Sequence, residues 1–117
     1  MAKEPLQALL FKSIHWHDIL SGYKSSTLRD GTVNYRVSKP VMLCCHRVNV
    51  CLMATVTRVT HCLLEEIPKS WLVDRDYPWQ RYLLEMYMQK FYPDIKLTSP
   101  ITLIEWLDVR GAMIGRN

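Results

Sequence analysis

Apolar residues along this chain fall mostly into short alternating or β-branched runs, and only two stretches carry the three-and-four spacing of a helix. Leu6 to Lys12 reads as a first strand. Ser13 can cap a short helix over Ile14 to Ser21, with Gly22 just past its end. Asp30-Gly31 signals a turn, after which Thr32 to Val37 forms a strand or an irregular edge. From Pro40 two β-branched runs, Val41 to Cys45 and Val48 to Thr60, flank polar His46-Arg47 with Asn49 nearby, and together they predict a hairpin. The second run is apolar on both faces, through Val50, Leu52, Ala54 and Val56 on one and Cys51, Met53 and Val59 on the other, so a strand buried on both sides is expected. Glu65-Glu66-Ile67-Pro68 breaks the pattern, and a polar loop with Asp74, Arg75 and Asp76 leads to Pro78. Pro78 suits the first position of a helix over Trp79 to Tyr92. One of its stripes holds Trp79, Leu83, Met86 and Lys90, and beside it lie Leu84, Tyr87 or Met88, and Phe91.

With 117 residues, 49% of them hydrophobic, the chain is sized for one domain with a real core. A single domain over 1–117 is expected, its core spanning about 6–107 between short flexible tails. Fifteen Lys and Arg against eleven Asp and Glu give a formal charge of +4, a mild preference for anionic partners without any long basic run. The charged start Met1-Ala2-Lys3-Glu4-Pro5 has no apolar leader core, and no segment approaches the roughly 20 apolar residues of a membrane span. A cytoplasmic protein without a membrane partner, monomeric or weakly dimeric, is therefore expected.

Cys44, Cys45, Cys51 and Cys62, with His46 and His61 beside two of them, raise the question of a metal. Their spacing argues against one, since adjacent Cys44 and Cys45 point to opposite faces of a strand instead of forming a closely spaced ligand pair on a turn. Reduced thiols buried in strands are expected, and disulfides are not, in the absence of a secretory signal. His15 and His17 are two apart on the short helix and so cannot form the i, i+4 pair of a helical zinc site. No metal and no cofactor is implied. The Met and aromatic content of the second helix reads as core packing.

The run Asp18-Ile19-Leu20-Ser21-Gly22-Tyr23-Lys24-Ser25-Ser26-Thr27-Leu28-Arg29-Asp30 concentrates the candidate chemistry. If 25–29 is a strand, Ser25, Thr27 and Arg29 share one face and Lys24 stands at its entrance, able to curl back towards Thr27. A hydroxyl becomes nucleophilic when a neighbouring base takes its proton, and a lysine desolvated beside another cation such as Arg29 is such a base. The plain alternative is a helix cap followed by a polar edge strand with both cations solvated.

Gly22, Lys24, Thr27 and Arg29, following an apolar helix end, resemble the signature of the ASCH domain family, a branch of the PUA-like superfamily. The resemblance runs from about Leu6 to Leu107. It takes in Phe11 at a strand end, a valine-rich strand around Val56 and Val59, a helix closing on Phe91-Tyr92-Pro93, and a last strand from Ile101 to Leu107 with Ile104-Glu105-Trp106. It implies an α+β fold: a small mixed β-barrel of five or six strands with two packed helices. The Asp-Ile-Leu-x-Gly-x-Lys-x-x-Thr-x-Arg-Asp run is similar to that of the small bacterial N4-acetylcytidine amidohydrolases. There a lysine, a threonine nucleophile and a glutamate before the second helix do the chemistry, which places the first two roles on Lys24 and Thr27. This chain departs at the third: the glutamate position falls on Tyr77, and a one-residue shift in the loop would supply Asp76 instead, with Asp74 the next acid.

The mechanism so implied has Lys24 deprotonate Thr27, whose oxygen attacks the acetyl carbonyl on the exocyclic nitrogen of a modified nucleoside. Asp76 passes the proton to the leaving amine, and Arg29 supports the oxyanion or fixes Thr27. Ser26, Phe11 and Tyr77 complete the substrate-binding set, Phe11 and Trp16 as possible stacking faces for a base. The competing expectations are an RNA-binding module and a ribonuclease using the same basic pocket.

Overall fold

A computed structural model of the chain describes residues 6–11, 16–45 and 51–112. Ser13, His15, Val48, Val50 and the hairpin turn at His46-Arg47 and Asn49 lie outside the described residues. The element order is β1 (Gln7–Phe11), α1 (Trp16–Leu20), β2 (Ser26–Asp30), β3 (Pro40–Cys45), β4 (Cys51–Leu63), a 3-10 turn (Leu64–Glu66), α2 (Lys69–Asp74), α3 (Arg81–Met88) and β5 (Pro100–Ala112). The five strands form one mixed sheet in the order β1-β3-β4-β5-β2. β1 runs parallel to β3, from Gln7↔Val41 to Phe11↔Cys45, whereas β3 and β4 form the expected antiparallel hairpin. This is a small α+β fold built on one mixed sheet. None of the described helices is long and apolar enough to cross a membrane.

The chain divides into two compact units, residues 1–27, 35–59 and 104–117 in the first and 28–34 and 60–103 in the second. Each has its own core. In the first, Leu9, Phe11, Ile19, Val41, Leu43, Leu52, Ala54, Val56, Ile104 and Trp106 are buried together. The alternation of β1 and β3 produces this, since Leu9 and Phe11, and Val41, Leu43 and Cys45, all point inward while the residues between them are exposed or half-buried. The second unit buries Leu28, Leu64, Ile67, Leu72, Leu84, Met88, Ile95, Ile101 and Leu103.

Four expectations are corrected. β4 is buried on both faces only at its start: Leu52, Ala54 and Val56 are buried on one face, and on the other Cys51 is buried but Met53 and Val59 are half-buried. The helix expected over Trp79 to Tyr92 is the shorter α3, with Gln80 as its N-cap and Gln89 as its C-cap. It buries Leu84 and Met88 and leaves Trp79, Leu83 and Met86 largely exposed, so only one of its two apolar stripes serves the core. A further helix, α2, occupies a stretch in which periodicity indicated no element. Finally, Cys44 and Cys51 form a disulfide. Cys44 and Cys45 do point to opposite faces, but the hairpin register sets Cys44 directly opposite Cys51.

The segment after Asp30-Gly31 is irregular rather than a strand, because side chains take its backbone hydrogen bonds. Within the second unit, the Val33 N–H donates to the Thr102 hydroxyl (3.0 Å) and the His61 ring Nε2–H donates to the Val33 carbonyl (2.8 Å). Within the first, the Arg36 N–H donates to the Gln7 side-chain oxygen (2.5 Å), and the Gln7 amide donates in return to the Arg36 carbonyl (3.0 Å) and to Pro40 (3.2 Å). Backbone groups satisfied in this way need no sheet partner.

Candidate active site

The Gly-x-Lys turn is made by the end of α1. Gly22 has φ 81°, a left-handed conformation that glycine adopts at little cost, and a Cβ there would meet nothing within 4 Å. Its place is therefore set by backbone angle, not by space. The Ser21 N–H donates to His17 (3.0 Å), the Gly22 N–H to Ile19 (3.2 Å) and the Lys24 N–H to Asp18 (2.9 Å), so the last helical carbonyls are satisfied as the chain reverses. The Ser21 hydroxyl ties the same turn, donating to the Asp18 carbonyl (3.2 Å) and accepting from the Tyr23 N–H (3.4 Å).

This reversal leaves Lys24 half-buried, with Nζ 6.0 Å from the centre of the Phe11 ring. That is the outer range of a cation–π contact. Phe11, only 4% exposed, meets Trp106 edge to face at 5.7 Å, and the backbone N–H of Trp106 donates to the Ser25 carbonyl (3.0 Å). The two neighbours of Lys24 are thus fixed by the first unit's core. Beyond Ser25, β2 buries Ser26 and Thr27 at 5% and 6% exposure. The strand starts one residue later than the motif suggested; Ser25 is exposed, Thr27 buried and Arg29 half-buried.

Of the proposed set, Lys24, Thr27, Ser26 and Phe11 belong to the first unit, and Arg29, Asp76 and Tyr77 to the second. Asp76 sits at the end of α2 in a left-handed conformation, φ 61°. Its N–H donates to Val73 (3.2 Å), and the Tyr77 N–H donates to Leu72 (2.9 Å), the two bonds of a Schellman cap in which Asp76 holds the place usually given to glycine. The Asp76 side chain is exposed, as is that of Asp74. Tyr77 is half-buried, stacked on Trp71 at 5.7 Å and edge-on to Tyr87 at 5.9 Å. At the position where the family resemblance expects a glutamate, the chain has a ring packed into an aromatic cluster.

A cleft of about 250 Å³ in the first unit is lined by Leu20, Ser21, Gly22 and Ser25 from the turn and by Trp106, Leu107, Asp108 and Val109 from β5. Two of its features went unread in the sequence. Asp108 takes a left-handed conformation, φ 61°, in mid-strand and pairs with Arg110 at 3.0 Å. The indole N–H of Trp106, which is 1% exposed, has no hydrogen-bond partner among the described residues. No sequence signal marked Asp108, whereas Trp106 stood out only as part of a family-like strand.

Charge is divided unevenly. The first unit carries nine Lys and Arg against four Asp and Glu, a formal +5, and the second six against seven. Among the described residues no three His, Cys, Asp or Glu side chains gather as a metal site would require. The Cys62 thiol is pushed above its ordinary value, first by burial and then by the Glu66 carboxylate.

No family profile and no curated protein sequence matches the chain. Solved structures do. An ASCH protein from Zymomonas mobilis is similar with a TM-score of 0.64 at 12% identity, the match covering 89% of this chain and 68% of that one. The ASCH domain from Lactobacillus crispatus JV V101 gives 0.67 at 12% identity over 92% of this chain and 80% of that one. A protein from Enterococcus faecalis V583 gives 0.64 at 9% identity over 100% and 88%. The chain has the fold of these ASCH domains.

Proposed function

We propose that this chain is an ASCH-domain amidohydrolase that removes an acyl group from the exocyclic amine of a modified nucleoside such as N4-acetylcytidine. The observation that carries the reading is the left-handed Gly22 reversal, which sets a half-buried Lys24 against the Phe11 ring and feeds directly into the strand that buries Thr27. Burial of Thr27 keeps bulk water from its hydroxyl. In this mechanism the Lys24 amine takes the Thr27 proton, the threonine oxygen attacks the acetyl carbonyl, the Lys24 ammonium returns that proton to the departing exocyclic amine, and water hydrolyses the acyl enzyme. Arg29 supplies positive charge for the developing oxyanion.

The experiment is turnover of N4-acetylcytidine by the full chain. Wild type is expected to release cytidine, and Lys24→Ala and Thr27→Ala each to lower the rate at least about a hundredfold while the protein stays folded. The second reading, an RNA-binding module, is favoured by the concentration of charge in the first unit. Absence of cytidine release together with salt-sensitive RNA binding would establish it in place of the first.

A further inference from the structure

Cys44 and Cys51 face each other across the β3–β4 pair with their Cα atoms 4.3 Å apart, the spacing of a non-hydrogen-bonded rung, where opposed side chains come closest. The disulfide is on the face of the hairpin away from the core. Leu43 and Leu52, the next rung, point inward at 0% and 6% exposure, whereas Met42 and Met53, which share the face of the disulfide, are half-buried. Cys44 is half-buried as well and Cys51 is 8% exposed, so a small reductant meets the Cys44 sulfur first. Neither remaining cysteine is placed to compete. Cys45 is 5% exposed in the core, and Cys62 lies in the other unit, with burial and Glu66 holding its thiol protonated and thus a poor attacking group.

The position of the pair gives it a consequence. Cys45, the neighbour of Cys44, is paired in register with Phe11 at the end of β1, and the Lys24 Nζ stands over the Phe11 ring, 6.0 Å from its centre. The disulfide therefore closes the hairpin one residue from the rung that seats Phe11.

We propose that Cys44–Cys51 is a redox modification site, a reversible cross-strand disulfide whose reduction by a cellular dithiol loosens the end of the β3–β4 hairpin and with it the Phe11 seat of Lys24. In the reducing direction a thiolate of the dithiol attacks the Cys44 sulfur and the Cys44–Cys51 bond breaks, Cys51 leaving as a thiolate that takes up a proton. The second thiol of the reductant then displaces Cys44 from the mixed disulfide. Two electrons and two protons have passed to the protein, and the reductant leaves as its own disulfide. Oxidised glutathione, a low-molecular-weight disulfide, runs the exchange backwards. The staple does not depend on the amidohydrolase reading, and its test uses no turnover.

The full chain is equilibrated in glutathione buffers of graded potential or in dithiothreitol, quenched with an alkylating reagent and mapped by peptide mass spectrometry. Cys44 and Cys51 are expected to gain label together, while Cys45 stays unlabelled until the protein unfolds. Reduction is expected to lower Tm by roughly 5–10 °C, and oxidised glutathione to restore it. The variant Cys44→Val with Cys51→Val, which keeps an apolar β-branched rung, is expected to give one Tm in both buffers, and Cys44→Ser with Cys51→Ser provides a second bridge-free protein. Phe11 ring and Lys24 side-chain NMR signals are expected to shift on reduction of wild type and to stay fixed in the bridge-free variants. Free, separately labelled thiols in oxidising buffer would overturn the proposal, as would an equal Tm response in a bridge-free variant or Phe11 and Lys24 signals that ignore the redox state.

Discussion

The two units contain matching chain reversals built from different residues. In the first, α1 ends on Gly22 at φ 81°; in the second, α2 ends on Asp76 at φ 61°. Both turn through the left-handed region, both satisfy the last helical carbonyls with N–H groups from just beyond the helix, and each leads straight to a residue of the proposed chemistry, Lys24 in one and Tyr77 in the other. Glycine adopts the conformation at little cost. An aspartate adopts it less readily, so at Asp76 the turn is made at the expense of some stability and gains an exposed carboxylate. The difference separates a turn made by backbone shape alone from one that sets a carboxylate on a strained backbone.

The largest expected effect lies behind the turns, in the aromatic anchor of each unit. Trp106→Ala, removing a 1% exposed ring that meets Phe11, is expected to cost about 3–5 kcal/mol in denaturant unfolding, and Tyr77→Ala, removing a half-buried ring, about 2 kcal/mol. Equal costs would show that the two anchors are not of different depth.

The turns themselves come next. Gly22→Ala adds a methyl that touches nothing yet is forced to φ 81°, and is expected to destabilise by about 1 kcal/mol. Asp76→Gly is expected to do the reverse, stabilising by up to about 1 kcal/mol in the same measurement. Destabilisation by both substitutions would erase the contrast and make Asp76 a structural residue.

The smallest effect concerns Cys62 in the second unit. Its thiol is held above the ordinary value in the folded state, so the protonated form is favoured there, and the associated stability is complete below the thiol's unfolded pKa and is lost as pH rises through the folded one. A Cys62→Ala variant is therefore expected to lose less stability than wild type between neutral and strongly alkaline pH. Parallel pH profiles would contradict this.

Much of the sheet was legible because β1 and β3 each bury one face, so alternation in Gln7 to Phe11 and Pro40 to Cys45 marked both the strands and the side that faces inward. Gly22 was legible for a similar reason, a glycine directly after a helical pattern. The second unit resisted. Trp79, Leu83 and Met86 have the spacing of a buried stripe but lie in the open, with the Lys69 ammonium 3.9 Å above the Trp79 ring, and nothing in the pattern distinguishes a covered apolar stripe from an uncovered one. Asp76 was found only through its count from Phe91-Tyr92-Pro93, because a left-handed aspartate leaves no periodic trace. The disulfide was missed because it depends on the hairpin register, which composition and spacing do not fix.

The account depends most on Thr27 acting as a nucleophile activated from Lys24. Mixing the full chain with N4-acetylcytidine, quenching in acid within the first turnover and mapping peptides by mass spectrometry tests this directly. An acetyl group on Thr27 that forms in wild type and is absent in Lys24→Ala is the predicted result. Cytidine release without any acetyl adduct on Thr27, or undiminished release by Thr27→Ala, would contradict it.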